Sequence, residues 1–343
     1  CTDGTVFKTD DAGKTWNKEK VDVLNQPGES WIFSNKKGDL FHLNRTGETK
    51  IETSISGDQG STWKSLGELK LTDMVGYPSL FFDPEKDRLA LTYVKNSDCR
   101  VDLMFVQSSN SKKFDDPRSL LSEKLDCGGV LPTNPDVVID PREYMFAVWA
   151  RGEEIYLDRS YDDGDTWLRS DILIYTRKGS RGRPLLTVDR SESVLKGAMY
   201  LVWTDSVSDG SLLNCSRSTN NGDAWSGAIK VHPNIADVQP VRVLIDQSNG
   251  FLYVLYYLAS GDQTYDLILA YSDDGAQSFN GTRINSEPLR ISAEHMQIPV
   301  SGLDVYRGKI LVSWSSFVQS KQRIHFRELA FTELQSAGDQ LGN

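Results

Sequence analysis

Arg183, Arg151 and Lys95 are the side chains of this sequence best suited to hold an anionic ligand, and each sits at a repeated position. Arg183 stands directly before a proline, as do Tyr77, Asn134 and Gln239, with Gln297 two before Pro299. Arg151 and Lys95 each fall two residues after an aromatic that ends an apolar run, where other copies place Asp205, Leu258 and Ser316. Ser30 or Trp31 takes the corresponding place near the start of the chain. Pooled, these residues offer fixed cations, amides and aromatics, with arginine able to grip a carboxylate through two parallel hydrogen bonds. Asp136, Asp205, Glu153 and Glu294 add carboxylates at comparable positions, and His295 adjoins Glu294. Two such carboxylates facing each other across about 5 to 9.5 Å would suit glycosidic bond cleavage.

What must position these residues is a repeat. One half of it reads proline, an apolar stretch, then aspartate: Pro78–Asp83, Pro135–Asp140, Pro184–Asp189, Pro240–Asp246 and Pro299–Asp304. A polar turn and a second apolar run follow each time, ending at Tyr93, Trp149, Trp203, Tyr256 and Trp314. Residues 30–43 supply a sixth copy without the proline. These are hairpins of β-branched and aromatic residues, and no amphipathic helix competes with them.

The other half is an eight-residue turn, Ser/Thr-x-Asp-x-Gly-x-Thr-Trp. It is complete at residues 9–16 (Asp11, Gly13, Trp16), 56–63 (Asp58, Gly60, Trp63) and 160–167 (Asp162, Gly164, Trp167). A weaker copy has Asn220, Gly222 and Trp225; another, at 272–279, looks one residue too long; the copy at 108–114 has lost its glycine. Six hairpins and six turns predict an all-β, six-bladed β-propeller of four-stranded antiparallel blades. The expectation is a single domain over residues 1–343, with inner strands starting near 30, 77, 134, 183, 239 and 298. The termini are expected to pair in the last blade, a seventh partial blade being the alternative at that seam.

The turn motif resembles the Asp box, or BNR repeat, of the sialidase (neuraminidase) superfamily, whose fold is a six-bladed propeller. The resemblance implies that the turns are structural and that ligands meet the opposite end of the blades, at the mouth of the central channel. It also implies, for a sialidase, three arginines on the substrate carboxylate, an aspartate acid/base and a Tyr–Glu nucleophile pair. Here the match is partial. Arg183 and Arg151 can serve as arginines, but residues 28–33 lack the family's Arg-Ile-Pro element, and no tyrosine opens the last inner strand. The expected function is therefore a sialidase-like propeller that binds a polar or anionic glycan, or a protein, without the full catalytic set. A glycoside hydrolase using two of the four carboxylates is the alternative.

Composition narrows the partners. A net charge of −10 argues against a nucleic-acid backbone, and no apolar run approaches the ~20 residues of a membrane span. Four scattered cysteines and four scattered histidines suggest no zinc site, the acidic turn 162–165 lacks the glutamate of a calcium loop, and nothing points to a cofactor. Cys99 and Cys127 belong to the same end of the repeat and are the expected disulfide, worth on the order of 3 kcal/mol; buried thiols are the alternative. Cys1, as a possible lipid attachment point, and Cys215 stay unassigned. Sequons at Asn44, Asn214 and Asn280 are about as many as chance supplies. These features fit an extracellular, secreted or cell-surface protein.

Overall fold

The computed structural model describes residues 5–8, 17–20, 30–35, 37–45, 49–58, 60–71, 74–97, 100–108, 114–122, 125–126, 130, 132–179, 182–261, 263–290, 301–306, 308–318 and 321–337. Asp11, Gly13, Trp16, Cys1, Cys99, Cys127, Glu294, His295 and Gln297 lie outside the described residues.

The fold is an all-β, six-bladed propeller, and each blade is an antiparallel meander. The first sheet runs Ser30–Ser34, Leu40–Arg45, Lys50–Ser56, Lys64–Lys70. In the second, Met74–Asp83, Arg88–Ser97 and Arg100–Ser108 are flanked by the short strands Arg118–Ser119 and Leu125–Asp126. The third is Pro132–Ile139, Met145–Arg151, Glu154–Ser160, Ile172–Thr176; the fourth is Leu185–Val188, Met199–Val207, Gly210–Ser218, Ile229–Lys230. The fifth is Val238–Ile245, Leu252–Gly261, Thr264–Ser272, Asn280–Arg283, with Leu289–Arg290 also on its third strand. The sixth is Ser301–Tyr306, Lys309–Val318, Lys321–Ala330. At the seam, Lys321–Ala330 is that sheet's third strand, while Thr5–Lys8 and Asn17–Lys20 form a hairpin of their own.

The chain divides into two compact units. One comprises Cys1–Ile139, Met145–Ala147 and Asp158–Asp171; the other Asp140–Tyr144, Val148–Leu157 and Ile172–Asn343. Within each, the core is a set of apolar layers between successive sheets. In the first unit Leu43, Ile51, Leu89, Leu91 and Tyr93 join sheets one and two. In the second, Val202, Leu213, Val254 and Tyr256 join sheets four and five, and Leu255, Leu269, Val312 and Trp314 join five and six.

Both halves of the repeat have a visible physical use. Four motif aspartates, Asp83, Asp140, Asp189 and Asp246, are buried and cap the turn between first and second strands: Asp140 Oδ1 accepts the N–H of Arg142 at 2.8 Å and of Tyr144 at 2.9 Å. Asp83, Asp189 and Asp246 take the N–H two residues on in the same way. Asp304 departs from this, since its strand continues to Tyr306 and it accepts the adjacent Val305 N–H instead. Pro78 and Pro240 sit where the strand register shifts, a place that needs no ladder N–H.

In the eight-residue turns a serine and an aspartate divide the donors. Ser160 Oγ accepts the Gly164 N–H at 2.9 Å, and Asp162 accepts both the N–H and the hydroxyl of Thr166. The same set recurs around Ser56 and Asp58. Asp163 and Gly164 both take positive φ, and a Cβ on Gly164 would come within 2.6 Å of Phe105. The copy at 272–279 corrects the sequence reading. It is not longer; its glycine has moved one place, so Gly275 and Ala276 hold the two positive-φ positions and Ala276 N–H binds Ser272 Oγ at 2.8 Å. A second correction is the helix Phe331–Ala337, where no helix was expected; Glu333 accepts the Ala330 N–H at its start.

Candidate functional site: the strand-end cluster of the second unit

The turn after Met145–Arg151, the loop leaving Ile172–Thr176 and the end of Met199–Val207 are tied together by buried polar groups. Arg177 organises them. It is 2% exposed, and its guanidinium donates to Gly152 O at 2.7 Å and Gly182 O at 3.0 Å. Burial pulls its pKa down, against Asp205 and Glu153, which hold it up.

Asp205, 6% exposed, accepts from the Tyr175 hydroxyl at 3.1 Å, Asn214 Nδ2 at 2.8 Å and the Lys178 N–H at 3.0 Å. Glu153 accepts the next amide, Gly179 N–H, at 3.1 Å. Because these two N–H groups are consecutive, the accepting oxygens of Asp205 and Glu153 lie within about 10 Å of each other. Burial and the Asp205 charge raise the Tyr175 pKa, so the phenol stays protonated as the donor to Asp205.

Arg183 follows Gly182, whose carbonyl Arg177 holds. Its side chain is half-buried and engages no partner among the described residues. Arg151 is engaged: it donates to the Tyr156 hydroxyl at 3.2 Å and lies 5.1 Å over that ring, while Tyr156 donates to Glu154 Oε2 at 2.6 Å. Thus Asp205 and Glu153 meet at the 178–179 amides beside Arg177, Arg151 belongs to a separate Tyr156–Glu154 group, Arg183 adjoins the first cluster, among the described residues, only through Gly182, and Gln239 is exposed on the fifth sheet.

The remaining expected residues belong to the first unit. Lys95 is half-buried opposite Asp102 in the second sheet, and Trp31 packs on the apolar layer of sheets one and two. Asp136 accepts from Ser79 Oγ at 2.8 Å. Tyr77 and Asn134 lie in the strands Met74–Asp83 and Pro132–Ile139.

Sequence reasoning passed over Arg177 and Tyr175, which stand neither before a proline nor after a second-strand aromatic. A signal was present: residues 175–184 read YTRKGSRGRP, four cations in seven positions inside an acidic chain.

Chemically, the cluster offers the half-buried Arg183 and the exposed Lys178 as cations, and Asp205 is saturated by donors. Among the described residues no group of three or more His, Cys, Asp or Glu could hold a metal ion, and no helix is long and apolar enough to cross a membrane.

No protein-family model matches the chain, and no curated protein does. Solved structures do. A PL25 ulvan lyase bound to a GlcA–Rha3S saccharide is similar at a TM-score of 0.53 and 13% identity, over 95% of this chain and 85% of that one. The NanB sialidase of Streptococcus pneumoniae is similar at 0.53 and 12% identity, over 89% and 68%. A Hadza microbial sialidase is similar at 0.51 and 13%, over 89% and 66%. At these identities the likeness establishes the propeller fold.

Proposed function

We propose that this chain is a sialidase-like propeller that binds an anionic glycan at the strand-end cluster around Arg183 without cleaving it. The observation that carries this reading is the contrast between two neighbouring arginines: Arg177 is spent on backbone carbonyls, whereas Arg183 keeps a half-buried guanidinium with no partner among the described residues. A half-buried cation without a protein partner suits a sugar carboxylate or sulfate. The glycan-active proteins among the structural likenesses support the ligand class. In this reading the eight-residue turns are Asp boxes, the protein works outside the cell, and Cys99 and Cys127 form a disulfide. Their described neighbours, Arg100 and Asp126, are cross-strand partners, which supports the bridge; thiol counting under denaturing, non-reducing conditions tests it.

The test is calorimetric titration with 3′-sialyllactose and a glucuronate-containing oligosaccharide, against lactose as the neutral control. The anionic sugars bind, lactose does not, and Arg183→Ala weakens binding by about tenfold or more. Equal affinity of wild type and variant removes Arg183 from the site.

One observation favours a second reading, glycoside hydrolysis. Asp205 and Glu153 hold adjacent amides, which keeps their accepting oxygens within about 10 Å, a bound that includes the separation such a pair needs. Release of a reducing end, abolished by Glu153→Gln, would select it.

A further inference from the structure

Beneath the Tyr175–Asp205 contact a cleft of about 250 Å³ runs along the outer strand of the third sheet to the turn at Gly222–Trp225. Its walls are Ile172–Tyr175 on one side and Leu201, Trp203, Ser216, Asp223, Ala224 and Trp225 on the other. We propose that this cleft is a second saccharide site, built for the apolar face of a neutral pyranose.

Four observations support the assignment. First, the lining includes the part-exposed rings of Tyr175 and Trp225 over the buried Trp203, whose ring lies 4.5 Å from that of Tyr175 at a tilt of 50°, and Leu173 leaves 50% of its surface exposed at the rim. Flat aromatic and aliphatic surface of this kind matches the C–H face of a sugar ring.

Second, two lining residues, Trp225 and Trp203, have indole N–H groups buried without an acceptor, although Trp63, the turn equivalent of Trp225, donates to Gly60 O at 3.0 Å. Trp167 also lacks an acceptor, but there Arg118 occupies the Gly164 carbonyl, and Trp167 does not line the cleft. The Trp225 donor is costly to leave unmade, and a sugar hydroxyl that displaced the atoms now covering it would satisfy it.

Third, this copy of the turn is the one that departs from the others here. Ala224 stands where Thr62, Thr166 and Ser278 bring hydroxyls to the turn aspartate, so Asn220 accepts the Ala224 N–H and the Ser218 hydroxyl but no hydroxyl from position 224. Ala224 lines the cleft, and the missing hydroxyl keeps that wall low.

Fourth, the lining holds no basic side chain and one carboxylate, Asp223, in a chain of net charge −10. That composition selects against an anionic sugar and leaves an acceptor for a hydroxyl. A cavity of about 150 Å³ takes benzene, so this volume admits one hydroxylated six-membered ring.

The site goes beyond the anionic cluster and is tested separately from it. The probes are methyl β-D-glucopyranoside and cellotetraose, titrated to about 50 mM, a range that captures millimolar affinity, against ¹⁵N-labelled protein. The readout is the Trp225 indole resonance, assigned with Trp225→Phe. A saturable shift is expected, weakened about tenfold or more by Leu173→Arg and by Ala224→Arg, both at exposed positions, and unchanged by Arg183→Ala. No saturable shift with either sugar, or a shift that persists in both blocked variants, overturns the proposal. Failure of 3′-sialyllactose to bind would instead count against the Arg183 site alone.

Discussion

Arg183 and Arg177 are six positions apart, yet the structure gives them different work. If Arg183 holds the ligand as proposed, replacing it with alanine removes that contact and is expected to leave the thermal midpoint within a few degrees of wild type. Replacing Arg177 with alanine orphans the Gly152 and Gly182 carbonyls it now serves. It should lower stability by about 1–3 kcal/mol as well as weaken binding, which urea denaturation of the two variants would separate.

A different residue-scale prediction concerns Asp158. Burial is the largest cause pushing its pKa up to about 7, with the neighbouring Asp171 charge adding to it and the backbone bonds from Arg159 and Leu168 opposing it. A carboxyl that holds its proton more tightly when folded favours the fold at low pH. The benefit is full below the unfolded value near 4 and is lost as pH rises through 7, a swing on the order of 4 kcal/mol. Asp158→Asn should therefore gain on wild type by about 2 kcal/mol more at pH 8 than at pH 5, measured by urea midpoints. An equal difference at both pH values would contradict the burial account. His42 acts in the opposite sense: burial lowers its pKa to about 4, so its contribution is present above about 6.5 and lost as pH falls toward 4. The two slopes overlap, which is why single variants rather than the wild-type profile are informative.

At the scale of the element, the repeated turns show which positions tolerate a side chain. A Cβ at Gly222 would lie 2.2 Å from Leu157 Cδ2, and its φ is positive. Gly222→Ala should cost about 2–3 kcal/mol from strain and crowding together. Ala276 already carries a methyl at the matching position with φ of 65°, packed into the layer between sheets four and five. Ala276→Gly relieves left-handed strain but empties that contact, so its effect should stay within about 1 kcal/mol. Chemical denaturation of both variants checks the contrast.

The hairpins and turns were legible because each states its own local chemistry. A proline tolerates the register shift, an aspartate caps the turn, and a glycine takes positive φ. The displaced glycine of the 272–279 turn was misread because the motif was matched on glycine rather than on the serine and aspartate that accept the bonds. The helix Phe331–Ala337 was missed because seven residues carry too little periodicity to stand out.

At the scale of the molecule, the alternation of hairpin and turn was enough to specify six successive sheets, since each sheet is assembled from residues close in sequence. The candidate site was only partly readable. Arg183, Arg151, Glu153 and Asp205 stand at repeated positions, whereas Arg177 and Tyr175 earn their roles through partners 25 to 30 positions away, Gly152 and Asp205. Such pairings depend on how neighbouring sheets pack, which a periodic pattern does not encode. Native mass spectrometry of wild type and Arg183→Ala incubated with 3′-sialyllactose and a glucuronate oligosaccharide tests the central claim most directly. The account predicts wild-type complexes carrying the intact sugar mass and their loss in the variant. Complexes of equal abundance in the variant, or sugars released with one water gained or lost, would contradict it.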